Sequence, residues 1–170
     1  MAKLIGIATH TESKGSISSH EDIFISLETG LENDFQGKQN PNTQVTLLSL
    51  QSWQRACKEC LTEIDWTERR ANLLIDDIEF ASSMIGEQVQ IGDVLLEITE
   101  ETDPCNRMEA LQPGLKTALT PDWRGGARCK VLRQGHIKIG DKLVFAHPQI
   151  IHPLFDFISM LIILVIITTS

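Results

Sequence analysis

From Lys3 to Phe145 the sequence breaks into short apolar runs, each soon stopped by glycine, proline or a Gly-Asp pair. "KLIGIAT" (3–9) is apolar and bounded by polar turn residues. "DIFISLETG" (22–30) sets Ile23, Ile25 and Leu27 against Phe24, Ser26 and Glu28, the period of a strand, and stops at Gly30. "TQVTLLSL" (43–50) is a further strand. "QVQIGDVLLEITEE" (88–101) reads as a hairpin about Gly92-Asp93. "ARCKVLRQGHIKIGDKLVF" (127–145) reads similarly, with turns at Gln134-Gly135 and Gly140-Asp141. Many short strands with few helices imply a mainly β protein, a barrel or sandwich carrying helical insertions. The expectation is one closed or nearly closed barrel over residues 3–147, with no domain boundary before about residue 148.

Two stretches carry the helical period instead. Leu50, Trp53, Cys57, Cys60, Leu61 and Ile64 share one face, which predicts an amphipathic helix over 49–64 with Ser49 as N-cap, packed outside the barrel. In "NRMEALQPGLKTAL" (106–119), Met108, Leu111, Leu115 and Leu119 form a stripe broken by Pro113-Gly114. That pattern predicts a short helix, a turn and a second short helix.

Charge narrows the partners. The net charge of −8 argues against a general nucleic-acid binder, while local anion sites remain open. No N-terminal targeting signal is visible, and four cysteines in 170 residues are too sparse for a disulfide scaffold, so the expected compartment is the cytoplasm. The segment 149–170 is read as an apolar tail. Its "FISMLIILVIITTS" (157–170) is shorter than the ~20 residues of a spanning helix. A packed or disordered appendage, dispensable for the barrel, is preferred over membrane association.

The cysteines differ in setting. Cys57 and Cys60, in "CKEC", fall on the apolar helix face and read as buried core; a redox pair or half a zinc site is the alternative. Cys129 alternates with Ala127 and Val131 and should face the core. Cys105 instead lies among Thr102, Asp103, Pro104, Asn106 and Arg107, the residues of a turn, where a thiol is accessible and readily ionised. "TERRANLL" (67–74) places Arg69 and Arg70 side by side; they are either a solvated pair or an oxyanion clamp. Gly125-Gly126, after Trp123-Arg124, reads as a plain turn in preference to a close approach to ligand. The five histidines show no metal-binding spacing, and "TGLENDFQGK" (29–38) lacks the phosphate-loop pattern.

Taken in order, Gly6-Ile7 in the first strand, "TGLENDFQGK", "QVTLLS" (44–49), "DWTERRANLL" (65–74), "IGEQVQIGDVLLEIT" (85–99), "DPCNRMEALQPGL" (103–115) and "DWRGGARCKVLRQGHIKIGD" (122–141) resemble the MOSC domain, the family named for the C-terminal domain of molybdenum cofactor sulfurase. The resemblance runs from about Lys3 to His147 and is similar to the small stand-alone members. It implies a β-barrel with a few short helices over 1–148 and a bound molybdenum cofactor (molybdopterin). Cys105 matches the family's invariant cysteine, which implies a reactive thiol that carries sulfur or ligates molybdenum. The family's polar cluster falls on Arg69, Arg70 and Asn72, with Thr46 and Asp34 in the pattern, and these with Arg107 are the implied cofactor-binding residues. The implied activity is sulfur transfer, or reduction of N-hydroxylated substrates with an electron-donor protein or a sulfur donor as partner. The alternatives are a cofactor-delivery module without turnover and a thiol-redox protein using Cys57 and Cys60.

Overall fold

The computed structural model describes residues 1–13 and 15–146. The apolar tail 149–170 lies outside the described residues. In chain order the strands are β1 (Lys3–His10), β2 (Ile17–Ser19), β3 (Asp22–Ser26), β4 (Gly30–Leu31), β5 (Val45–Ser49), β6 (Leu73–Asp76), β7 (Gln88–Ile91), β8 (Val94–Glu101), β9 (Ala127–Arg133), β10 (Gly135–Lys138) and β11 (Leu143–Phe145). The α-helices are α1 (Leu50–Glu59), α2 (Asn106–Leu111) and α3 (Leu115–Leu119). Among the described residues no helix is long and apolar enough to cross a membrane.

Eight strands form one sheet in the order β11-β7-β8-β9-β5-β6-β1-β2, and β10-β3-β4 form a second. The fold is mainly β, but the expected closed barrel is not found. The large sheet ends at β2 and β11. The start of β1 is tied to the approach to β11 by an isolated bridge, Lys3 with Lys142, and by the Leu4 N–H donating to Asp141 O, the Gly140 N–H to Leu4 O and the Leu143 N–H to Ala2 O, without a continuous ladder. Strands β3, β4 and β10 form their own sheet instead of bridging those two ends. The expected hairpin at Gln134-Gly135 does not form beside β9, because both edges of β9 are taken by β8 and β5; the chain leaves the large sheet there, and β10 pairs with β3. Ile23, Ile25, Leu31 and Ile137 of the small sheet then share one core with Leu47, Leu73, Leu96 and Cys129 of the large one.

The pairs are antiparallel except β5 with β6. Parallel neighbours need a long crossover, and α1 supplies it. Ser49 accepts a hydrogen bond from the Ser52 N–H at 3.1 Å and so caps α1 as expected. Leu48 and Leu74 point to the α1 side, where Trp53, Ala56, Cys57, Met108, Leu115 and Leu119 make a second core. Covered on both faces, β5 is buried at all five positions, as the unbroken run "VTLLS" requires.

Helix α1 stops well short of Ile64. Leu61 takes φ +52°, the Thr62 N–H donates to Cys57 O at 3.0 Å, and the Leu61 N–H donates to Lys58 O at 3.1 Å. This is the paired-bond C-terminal stop that usually uses glycine. It turns Leu61 out to solvent, 95% exposed, instead of onto the apolar face. Leu27 also departs from its expected side: β3 ends at Ser26, and Leu27 sits in the exposed turn. The hairpin about Gly92-Asp93 and the split helix α2–α3 form where expected.

Candidate functional site

The crossover returns from α1 through a single helical turn, Trp66–Arg69, into β6. The Asp65 carboxylate accepts from the Thr67 N–H at 2.9 Å and starts that turn; Arg70, at φ +62°, ends it. The left-handed residue sends two adjacent guanidiniums apart, which relieves the repulsion they would feel side by side. Arg69 Nε donates to Gly125 O at 3.1 Å and Nη2 to Thr102 O at 2.8 Å. Arg70 Nη1 donates to Gly15 O and Nη2 to Glu12 O, each at 3.1 Å. Each arginine therefore ties a different loop.

Burial governs their electrostatics. Desolvation pulls the Arg69 guanidinium down to about 10, with the charge of Cys105 the largest opposing effect, so Arg69 stays cationic at neutral pH. Arg70 is lowered by desolvation and then by Arg107, against the pull of Glu68 and Asp34. Arg107 donates to Glu68 Oε2 at 3.1 Å.

Asn72 and Asp34 are wholly buried and serve the scaffold. Asn72 Oδ1 accepts from the Thr46 N–H and hydroxyl at 3.0 Å each, while the Asn72 N–H donates to Thr46 Oγ1 at 2.8 Å. Asp34 accepts from the His10 N–H and the Gln36 N–H at 3.0 Å each, and His10 Nδ1 lies 3.3 Å from its Oδ1. Burial lowers the pKa of His10; Asp34 opposes this, and Arg70 and Arg107 add to it.

Arg69, Arg70, Thr46 and Thr102 line a pocket of about 190 Å³, joined by Arg128 and Gln36. Gln36 Oε1 and Thr102 Oγ1 are buried there without a hydrogen-bond partner among the described residues. Cys105 is exposed, three residues beyond Thr102, at the extended position just before α2. The structure thus brings Arg69, Arg70 and Thr46 to one pocket with Cys105 on the adjoining loop. Asn72, Asp34 and Arg107 stand behind or beside it.

Arg128 is a pocket residue that no sequence motif marks. Its signal was present: if Ala127, Cys129 and Val131 face the core, Arg128 faces away. What the alternation does not reveal is the neighbour. In the structure Thr46 pairs with Arg128, which puts both side chains on the pocket side of the sheet. Gln36 and Thr102 carry no sequence signal.

The remaining cysteines lie elsewhere. Cys129 is fully buried and desolvation pushes its thiol far up. Cys57 is buried and Cys60 half-buried, and burial raises both thiols, which suits packing better than thiolate chemistry. Among the described residues no group of three or more His, Cys, Asp or Glu could hold a metal ion.

A family model described as the MOSC domain matches residues 34–144. Among solved structures, the YuaD protein from Bacillus subtilis superposes with TM-score 0.70 at 16% identity, covering 87% of this chain and 98% of that one. YiiM from Geobacillus stearothermophilus superposes with TM-score 0.68 at 12% identity, covering 88% and 77%. YiiM from Escherichia coli gives 0.62 at 13% identity, covering 86% and 70%. At such identities these likenesses concern the fold. No curated protein matches the sequence.

Proposed function

The chain belongs to the MOSC domain family, and from that premise we propose that it binds a molybdenum cofactor, with the arginine pocket taking the anionic end and Cys105 meeting the metal. One observation carries the reading. A chain of net charge −8 gathers Arg69, Arg70 and Arg128 round one small pocket, and the loop that leaves that pocket presents an exposed thiol.

The donor set fits such a group. Guanidinium forks suit phosphate oxygens, and Arg69 Nη1 and Arg70 Nε make no hydrogen bond to the described residues. The unpartnered Gln36 Oε1 and Thr102 Oγ1 offer an acceptor and a hydroxyl to a polar ligand. At about 190 Å³ the pocket is smaller than the ~300–1,000 Å³ of sites that enclose a whole ligand, so it takes part of such a molecule. The described residues form no metal cluster of their own, so a metal here would rely on ligands brought by the cofactor together with a single soft thiolate.

When bound, the cofactor supplies a sulfur-ligated molybdenum that takes up and returns electrons. The arginines hold and orient its anionic end. The Cys105 thiol would serve either as the metal's soft ligand in reduction of N-hydroxylated substrates or as a carrier that takes sulfane sulfur from a persulfide donor, the donor's own thiol being the leaving group. Both roles need the same accessible thiol.

The test is expression of the full chain with ample molybdate, anaerobic purification, and measurement of molybdenum and pterin. Near-stoichiometric content of both is expected. Cys105→Ala should keep the fold and lose activity, read as electron-driven reduction of an N-hydroxylated compound and, separately, as sulfur release to an acceptor. Wild-type protein free of molybdenum and pterin would refute the reading.

A further inference from the structure

Arg69 commits its guanidinium to main chain. Nε donates to Gly125 O at 3.1 Å, and Nη2 donates to Thr102 O at 2.8 Å and to Asp103 O at 3.4 Å. The residue is only 7% exposed. One rigid fork therefore holds carbonyls from two segments that are distant in sequence. Carbonyl acceptors do not neutralise the cation; they fix how far apart the two segments sit.

Gly125 makes the same point independently. A Cβ there would meet Thr102 O at 2.3 Å, Arg69 Nη2 at 3.2 Å and Pro104 Cδ at 3.4 Å. The Thr102 N–H also donates to Gly126 O at 2.8 Å. Segment 102–104 is thus pressed onto the Gly125-Gly126 turn, with the Arg69 fork in the seam. Pro104, itself buried, joins that segment to Cys105 and restricts the backbone on both sides.

We propose that Arg69 is a positioning residue for Cys105, clamping segment 102–104 to the Gly125-Gly126 turn so that the thiol is held beside the guanidinium, with Gly125 as the other jaw of the clamp. The inference rests on Cys105 being the working thiol. It gives Arg69 a task that exists before any ligand arrives, since Nε and Nη2 are already engaged. Lysine keeps the charge but offers a point donor on a flexible stem, so it cannot hold two segments at once.

The experiment uses the full-length protein expressed without molybdate. Alkylation of Cys105 is followed by peptide mapping with anionic iodoacetate and with neutral iodoacetamide at one pH. The ratio of the two rates reads the positive charge at the thiol, whereas a general loosening of the loop changes both rates together. The ratio is expected to fall by about threefold or more in Arg69→Lys and in Gly125→Ala, as local charge attraction is lost. It should hold in Arg55→Lys, a surface residue paired with Glu79. An unchanged ratio in Arg69→Lys would mean that Arg69 acts only as a charge, and the clamp would be wrong. If Gly125→Ala does not fold, hydrogen exchange at Arg69 Nε–H in the unaltered protein replaces it. Slow exchange supports the clamp, and exchange as fast as that of a surface arginine overturns it. No step reads cofactor content, so the failure of the clamp and the failure of the molybdenum reading are distinguishable.

Discussion

Asn72 illustrates how a motif residue can serve a site without touching it, since it acts through Thr46, which lines the pocket. Asn72 Oδ1 takes both Thr46 donors, and all the partners are buried. Asn72→Ala should strand the Thr46 N–H and cost about 2–3 kcal/mol in urea unfolding. Cys105→Ala should change stability by no more than ~0.5 kcal/mol, because the thiol is exposed. Cys129→Ser should cost about 1–3 kcal/mol, because it puts a hydroxyl into a closed core. His10 adds a pH dependence. Its folded pKa is depressed, chiefly by burial, below the ordinary 6.5. The unfolded chain therefore binds the proton more readily. The stability associated with neutral His10 is present above 6.5 and is lost as pH falls below it toward the folded value. His10→Asn should flatten that acid limb, measured as urea midpoints between pH 7 and pH 5. An unchanged limb would assign the loss to other groups.

Among the elements, α1 decides the most, because it is the crossover between the parallel pair β5 and β6. Its start follows local rules: Ser49 is a good cap and performs as one. Its stop breaks them, since a left-handed leucine is strained by roughly 1–2 kcal/mol relative to glycine. Leu61→Gly should therefore stabilise the protein by about 1 kcal/mol, with part of the relief returned as unfolded-chain entropy. Loss of stability in that variant would mean that Leu61 packs against something in solution. The departure of β10 from the large sheet is the other decisive event. It gives β3 a partner and completes the shared core through Ile137.

For the whole molecule, both hydrophobic cores are built from residues between Ala2 and Phe145 among those described. A chain ending at Pro148 is accordingly expected to melt within ~3 °C of the full chain, measured by calorimetry. A truncated chain that is insoluble would give the apolar segment 157–170 a structural role. The resemblance to the family runs from about Lys3 to His147, and the family match covers residues 34–144 within it.

By itself the sequence determined what local rules govern: the period-two runs of the strands, the hairpin at Gly92-Asp93, the cap at Ser49, the broken helix at Pro113-Gly114 and the inward face of Cys129. It also marked Cys105 as unlike its three fellow cysteines. Only the tertiary structure decided which segments became neighbours. Arg69 and Arg70 are adjacent in sequence yet diverge, because a backbone at φ +62° separates them. Arg128 joins them from far along the chain, because β9 pairs with β5 in the one register that sets it opposite Thr46. Asp34 and Asn72 became scaffold because burial left their polar atoms to satisfy main chain. Gly125 reads as an ordinary turn in sequence, yet Thr102 O lies 2.3 Å from where its Cβ would be. Hydrophobic period and capping act over a few residues, whereas pocket geometry depends on long-range pairing whose register no single segment encodes.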